Sequence, residues 1–267
     1  MMSRSLVYNL ENMSYGYQNN KLALQDINLK IHAAERVMLL GPNGCGKSTL
    51  QKILAGLIFA SSGKVSAFDR DINFQSMKEK QFAMAFRRKV GFVFQNSDVQ
   101  LFCTSVLDEI MFGPLAMGLN MKDAKERAEE LLAYSGISSL ADCSPHHLSG
   151  GEKKKVAVAA VLAINPEVLI FDEPTNGLDP KSQRWIINTI NDLNRQGKTI
   201  ILATHYLEFV PELTDRVIVL GEDHRIIADD TPQAILTNRD ILLNANLIDP
   251  HYHLHIYGED SYFHKHE

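Results

Sequence analysis

Cysteine is scarce in this chain. Cys45, Cys103 and Cys143 are its three thiols, an odd number at wide spacing that suits neither a disulfide framework nor a zinc site. They read as reduced thiols of a cytosolic protein. Positive charge is not in surplus either. Lys and Arg total 27 against 32 Asp and Glu, for a formal net charge of -5, so the clustered cations needed to neutralise nucleic-acid phosphates are missing. Eighteen apolar residues never run together, and the opening MMSRSLVYNLENM lacks the apolar stretch of a secretory signal. Any work at a membrane is therefore expected to depend on a partner that holds the chain there. Internal repeats and low-complexity segments are also lacking. What is present is apolar material: 267 residues, 45% hydrophobic and 22% charged, enough for one large domain with a subdomain.

The apolar pattern gives the order of elements. Two β-rich runs, LVYNLENMSYGY and LALQDINLKI, are separated by polar breaks at 18–21 and 32–35 and predict an antiparallel edge sheet. The apolar run 37–40 enters a glycine turn, and residues 47–57 follow with helical spacing. VGFVFQ, VLIFDEP and TIILATH are short, nearly continuous apolar runs, as parallel strands buried on both faces require. Helical stretches between them favour a parallel sheet. Residues 96–150 break the alternation with consecutive helical patterns, which predicts a helical subdomain inserted in the core. DRVIVLGEDHRIIADD reads as a final hairpin. A domain of residues 1–236 with a polar, His-bearing tail of 237–267 is expected.

Three segments carry chemistry. Gly41, Pro42, Asn43, Gly44, Cys45, Gly46, Lys47, Ser48 and Thr49 form a phosphate-binding loop between a strand and a helix, where glycines let backbone N–H groups turn inward around phosphates. Lys47 would neutralise the outer phosphates and Ser48 would ligate magnesium. Inward N–H groups and Lys47 are expected to lower the pKa of the Cys45 thiol. VLIFDEP carries Asp172 and Glu173 to the end of a strand, where one carboxylate can reach the magnesium shell and the other an attacking water. Leu148-Ser149-Gly150-Gly151-Glu152 opens the helical KKKVAVAAVLA. Ser149 can cap that helix, and the helix's bare N–H groups make an anion site.

Taken with His205 at the end of the next strand, these motifs resemble those of the ABC (ATP-binding cassette) ATPases across residues 6–236. The resemblance implies an α/β fold: a phosphate-loop, RecA-like, mainly parallel core with an antiparallel β subdomain and an inserted helical subdomain. It implies ATP and Mg2+ as the bound species, and a sandwich dimer in which ATP lies between one subunit's Lys47 loop and the other's Ser149, Gly150 and Gly151. It further implies that Tyr17 stacks on adenine, Gln95 senses magnesium and the attacking water, and Asp172 joins Ser48 and Gln95 around Mg2+. Glu173 would be the general base, His205 would hold the γ-phosphate, and Asp179 would signal across the dimer. Glu152 departs from the Gln often found after Ser-Gly-Gly.

The stretch VGFVFQNSDVQLFCTSVLDEIMFGPLAMGL holds more apolar residues than one helix face needs for its own domain, which suggests a docking groove. Its Val-Phe-Gln-Asn, Asp-Val-Gln-Leu-Phe and Phe-Gly-Pro words, with HHLSGGEKKKVAVAAVLA, are similar to the energy-coupling-factor importers, in particular their cobalt and nickel branch. Ser97 stands where that branch usually has Pro. The resemblance implies a second ATPase subunit (a homodimer), an integral-membrane coupling protein, a substrate-binding membrane protein, no nucleic acid, and a peripheral position on the cytoplasmic face of the cell membrane. His251, His253 and His255 alternate, so an extended segment puts all three on one side, where imidazoles can share a transition ion. His264 and His266 repeat the spacing. Two other readings stay open: an importer of vitamins, and a non-transport ABC ATPase, which would call for a basic face, a coiled-coil insertion or a second phosphate loop.

Overall fold

The computed structural model describes residues 4–17, 21–249, 252–257 and 260–265. In chain order it runs β1 (Leu6–Tyr17), β2 (Lys21–His32), β3 (Arg36–Leu40), α1 (Lys47–Leu54), β4 (Ser62–Ala67) and β5 (Arg70–Asp71). Next come α2 (Lys80–Lys89), β6 (Val90–Val93), α3 (Val106–Ala116), α4 (Met121–Tyr134), α5 (Gly150–Leu162), β7 (Val168–Asp172) and α6 (Pro180–Arg195). The chain continues through β8 (Thr199–Ala203), α7 (Val210–Leu213), β9 (Arg216–Leu220), β10 (Ile226–Asp230), α8 (Pro232–Thr237) and α9 (Arg239–Asn244). It closes with β11 (Tyr252–Tyr257) and β12 (Asp260–Lys265). This is the expected α/β class. Two compact units divide the chain: Met1–Phe74 with Ile201–Glu267, and Gln75–Ile200.

In the first unit the antiparallel sheet has the order β2-β1-β4-β5. From Ile27 onward β2 alternates buried Ile27, Leu29 and Ile31 with exposed Asn28 and Lys30, the period of a strand with one face on the core. β1 carries a register shift between Leu10 and Met13, where Asn12 takes a φ of 46°. β4 fits against that irregularity because it brings Gly63: a Cβ there would lie 2.2 Å from the Asn12 carbonyl oxygen. β3 pairs in parallel with β9, and β9 antiparallel with β10, so the final hairpin forms as expected. Val37 to Leu40 and Val217 to Leu220 are all buried, as strands covered on both faces must be. Beyond α8 the chain still packs, burying Leu242, Ala245 and Ile248. β11 and β12 pair with His253 opposite His264 and His255 opposite Tyr262.

In the second unit β6 and β7 pair in parallel, from Val90 opposite Val168 to Val93 opposite Phe171. The helical expectation for residues 96–150 is met by α3 and α4, with short 3-10 turns at Ser97–Val99, Ser138–Leu140 and Pro145–His147. α3, α4 and α5 share one core of Val106, Ile110 and Met111 with Ala124, Ala128 and Leu132, and Val156, Ala157 and Ala159. Alanines at 124 and 128 repeat every four residues, which lets α4 approach its neighbours closely. α2 was not legible in the sequence. It buries Phe82, Ala83 and Phe86 and ends on the basic run Arg87, Arg88 and Lys89. Among the described residues no helix is long and apolar enough to cross a membrane.

Candidate functional site

The first unit holds the phosphate loop. Gly41, Gly44 and Gly46 adopt φ values of 148°, 85° and 112°, which L side chains rarely take. They turn the chain from β3 into α1. The N-cap of α1 is Gly46, which supplies no side-chain cap, and its first turn holds no acidic residue. The positive field of that helix end therefore suits an anion. Lys47 is buried, and its ammonium donates to the carbonyls of Gly41 (2.7 Å) and Pro42 (3.0 Å), drawing the loop closed around the charge. Tyr17, 47% exposed, meets the Thr49 hydroxyl at 3.1 Å, so an accessible aromatic ring stands at the start of α1. After β8, the Thr204 N–H donates to the Leu39 carbonyl at 3.3 Å, which carries His205 alongside the end of β3, the strand that feeds the loop. The His205 ring lies against Tyr206, centroids 4.1 Å apart. Tyr17, the loop and His205 are therefore gathered in one unit.

The second unit gathers two further groups. Because Val93 faces Phe171 in the β6–β7 ladder, Gln95 and Glu173 follow their strands at the same offset, with Asp172 at the end of β7. Asp172 and Glu173 are both 6% exposed, and Glu173 has a φ of 46°. Lys154, on α5, donates to the carbonyls of Phe94 (2.9 Å) and Gln95 (2.8 Å). Burial pushes its ammonium down to about 8, with Asp172 opposing the shift. Gln100 ties the same segment from its other side, accepting from the Phe94 N–H and donating to the Ala157 carbonyl. Lys154 and Gln100 are positioning groups that sequence reasoning missed. A signal for Lys154 existed: it is the one charged residue on the buried stripe it forms with Ala157, Val158 and Val161.

The other group surrounds the start of α5. Ser149 and Glu152 form a capping box: the Ser149 N–H (2.8 Å) and hydroxyl (2.6 Å) donate to the Glu152 carboxylate, and the Glu152 N–H donates to the Ser149 Oγ (3.4 Å). The expected Ser149 cap forms, and the Glu152 carboxylate closes it into a box. Hydrogen bonds from Ser149 hold that carboxyl below its usual range. Asp179 caps α6, accepting from the N–H groups of Lys181 and Ser182, each at 3.0 Å, and from the Ser182 hydroxyl at 2.6 Å. These groups abut. A Cβ on Gly151 would lie 2.4 Å from the Ser182 Oγ and 3.4 Å from the Asp179 carboxylate.

Cys45 is a correction. Its thiol is 2% exposed, and burial raises its pKa, outweighing the lowering by Lys47 and the loop's N–H groups. Desolvation wins because the thiolate would lose its water on every side, while the ammonium nearby is already shared by two carbonyls. We expect maleimide at neutral pH to label exposed Cys143 at least roughly ten times faster than Cys45, since only the thiolate reacts. Peptide mass spectrometry over a time course checks this, and equal rates would restore the activated thiol. His251 lies outside the described residues, and of His253 and His255 only the backbone is described. Among the described residues no group of three His, Cys, Asp or Glu is gathered to hold a metal ion.

Comparison with known proteins bears on this arrangement. The ABC transporter family model matches residues 24–176. A protein of Methanosphaera stadtmanae named energy-coupling factor transporter ATP-binding protein EcfA is 41% identical over 238 residues, covering 89% of this chain and 84% of its own. The solved structure of cbiO1 from Clostridium perfringens, described as part of the ABC transporter complex cbiONQ, superposes with a TM-score of 0.77 at 36% identity, over 91% of this chain and 95% of that one. A dimeric ATP-binding cassette in a post-hydrolysis state, bound to ADP and Pi, superposes with a TM-score of 0.77 at 27% identity, over 84% of this chain and 98% of that one.

Proposed function

This chain belongs to the ABC transporter family as an ATP-hydrolysing subunit of the energy-coupling-factor type, and from that premise we propose that it powers the import of cobalt or nickel ions. The observation that carries the choice of ion is the run of words around Asp98 to Phe102 and before Ser149, which resembles the cobalt and nickel branch. The His-bearing tail and the likeness to cbiO1 support it.

In this reading Lys47 and the N–H groups of the loop hold the phosphates of ATP, and Tyr17 stacks on adenine. The uncapped start of α1 fits that anion. Ser48, Gln95 and Asp172 would hold Mg2+, a hard cation suited to hydroxyl, amide and carboxylate oxygens, which when bound neutralises phosphate charge. Glu173 takes the proton of the attacking water and His205 steadies the terminal phosphate. Ser149, Gly150 and Gly151 receive the ATP of a second copy, with Asp179 beneath them as the signalling contact.

The partners are an integral-membrane coupling protein and a substrate-binding membrane protein, met at the cytoplasmic face of the membrane. Support comes from an exposed apolar patch on residues 99–112. Val99, Phe102 and Phe112 are 70%, 61% and 51% exposed, and the two phenylalanine rings meet edge to face at 4.9 Å. The patch is held firmly, since the buried Glu109 carboxylate accepts from the N–H groups of Phe102 (2.8 Å) and Cys103 (2.7 Å). A solvent-facing aromatic pair on a braced loop suits a helix end of a membrane protein. The test is to purify the intact complex, reconstitute it in vesicles and measure ATP-driven uptake. Accumulation of Co2+ or Ni2+ supports the reading, and accumulation of a vitamin with no metal overturns it.

The tail adds a separate expectation. In the hairpin's register His253 pairs with His264, and His255 follows two residues along β11. Truncation after Asp249 should leave basal ATPase activity unchanged and remove most Ni2+ binding measured by calorimetry on the isolated subunit. Protons compete for imidazole, so binding weakens as pH falls through about 6.5. Equal affinity with and without the tail would eliminate its role and leave the ion to family resemblance alone.

A further inference from the structure

The turn between β9 and β10 touches the phosphate loop at two points. Leu220 brings its carbonyl oxygen to 2.4 Å from where a Cβ on Gly41 would lie, and the His224 Nδ1 stands 3.2 Å from the carbonyl oxygen of Cys45. The turn itself is tightly tied. The His224 N–H donates to Gly221 and the Gly221 N–H to Arg225, each at 3.0 Å. β2 holds it from outside, through the Gln25 N–H to the His224 carbonyl at 2.9 Å and an Arg225–Asp26 ion pair at 2.9 Å.

His224 occupies this turn with a φ of 63°, a conformation in which glycine is the least strained residue. The backbone therefore gives no reason for histidine here. The side chain does. The Cys45 carbonyl belongs to the peptide that joins Cys45 to Gly46, and the chain's described peptides are trans. In a trans peptide the C=O and N–H point in opposite directions, so anchoring the carbonyl fixes where the Gly46 N–H aims. That N–H stands at the start of α1, among the groups an anion would meet. A neutral imidazole protonated on Nδ1 and an imidazolium both donate here, so the contact does not depend on charge.

We propose that His224 is a positioning residue for the phosphate loop, orienting the Cys45–Gly46 peptide so that its N–H faces the nucleotide. The proposal rests on the reading of the loop as the nucleotide site. Two variants of the full chain separate side chain from backbone. His224→Gly removes the donor at a φ that glycine favours. His224→Asn keeps a donor at nearly the same place and also tolerates that φ.

With a fluorescent ATP analogue and Mg2+, the Gly variant should bind roughly 3- to 10-fold more weakly, the loss expected of one hydrogen bond. Its KM should rise in step while kcat at saturating ATP stays unchanged, and its unfolding midpoint should not fall. The Asn variant should return affinity to within about twofold of wild type. Wild-type affinity in His224→Gly, or equal weakness in both variants, overturns the proposal. Lys47→Ala in parallel keeps the two readings apart. If it still binds the analogue, the loop is not the nucleotide site. If it fails to bind while His224→Gly binds normally, only the positioning role is lost.

Discussion

Glu173→Gln should lower the rate of ATP turnover by roughly 10²- to 10⁴-fold, the range a positioned general base supplies, while ATP binding persists. The amide has the shape of the carboxylate but cannot accept the proton of water at neutral pH. Gln tolerates the local backbone as Glu does, since both leave the same side-chain volume at a φ of 46°. Lys47, Ser48 and the loop's N–H groups are untouched, so the nucleotide is still gripped but not cleaved. Bound ATP should then hold two copies together. Gel filtration with ATP and Mg2+ is expected to give a dimer, and a phosphate-release assay to give almost no turnover. Hydrolysis at the wild-type rate would remove Glu173 from the role of base, and a monomer under these conditions would remove the ATP-bridged dimer.

Gly46→Ala should be nearly as damaging for a different reason. A Cβ at residue 46 would lie 2.3 Å from the Ala23 carbonyl oxygen and 2.8 Å from Leu24 Cδ2. The first of these is backbone of β2 and cannot swing aside. To the overlap is added the cost of an L side chain at a φ of 112°, so that strain and overpacking together come to about 2–5 kcal/mol. The loop can relieve this only by leaving its conformation, which should abolish measurable ATP binding. Gly44→Ala is the control. Its φ is 85°, yet nothing lies within 4 Å of the added carbon, so only the conformational term, about 1–2 kcal/mol, applies. Urea unfolding of both variants measures the difference, and equal stability would refute the overlap at Ala23.

The contrast between these glycines illustrates how far the sequence could be read. The loop was legible because its chemistry needs glycines, a lysine and a serine at fixed spacing, with a strand before and a helix after. Glu173 and Asp172 were legible because a buried strand ends on them. Neither the overlap at Ala23 nor the histidine at 224 could be read, since each depends on a strand or turn far along the chain. Lys154 was hidden for the same reason: its two carbonyl partners lie 60 and 59 residues away. Cys45 was misread because its cationic neighbour is visible in sequence and its burial is not. α2 escaped because its apolar run, Phe82 to Phe86, is five residues long, and a run that short does not distinguish a helix from a strand.

α5 combines several of these details in a single body. It is a 13-residue helix, a rod of roughly 20 Å at 1.5 Å per residue. At its tip are the Ser149 cap and Gly151, seated on Ser182. Little more than one turn further on, Lys154 grips the carbonyls of Phe94 and Gln95, and the next turn supplies the Ala157 carbonyl that Gln100 holds. Lys153 adds an ion pair to Asp98 at 2.6 Å. A helix transmits displacement along its axis with little compression, and these clamps leave the attached strand end little slack. The Ser149 tip and the Gln95 carbonyl are thereby tied to one rod, as two pins are set in one crank.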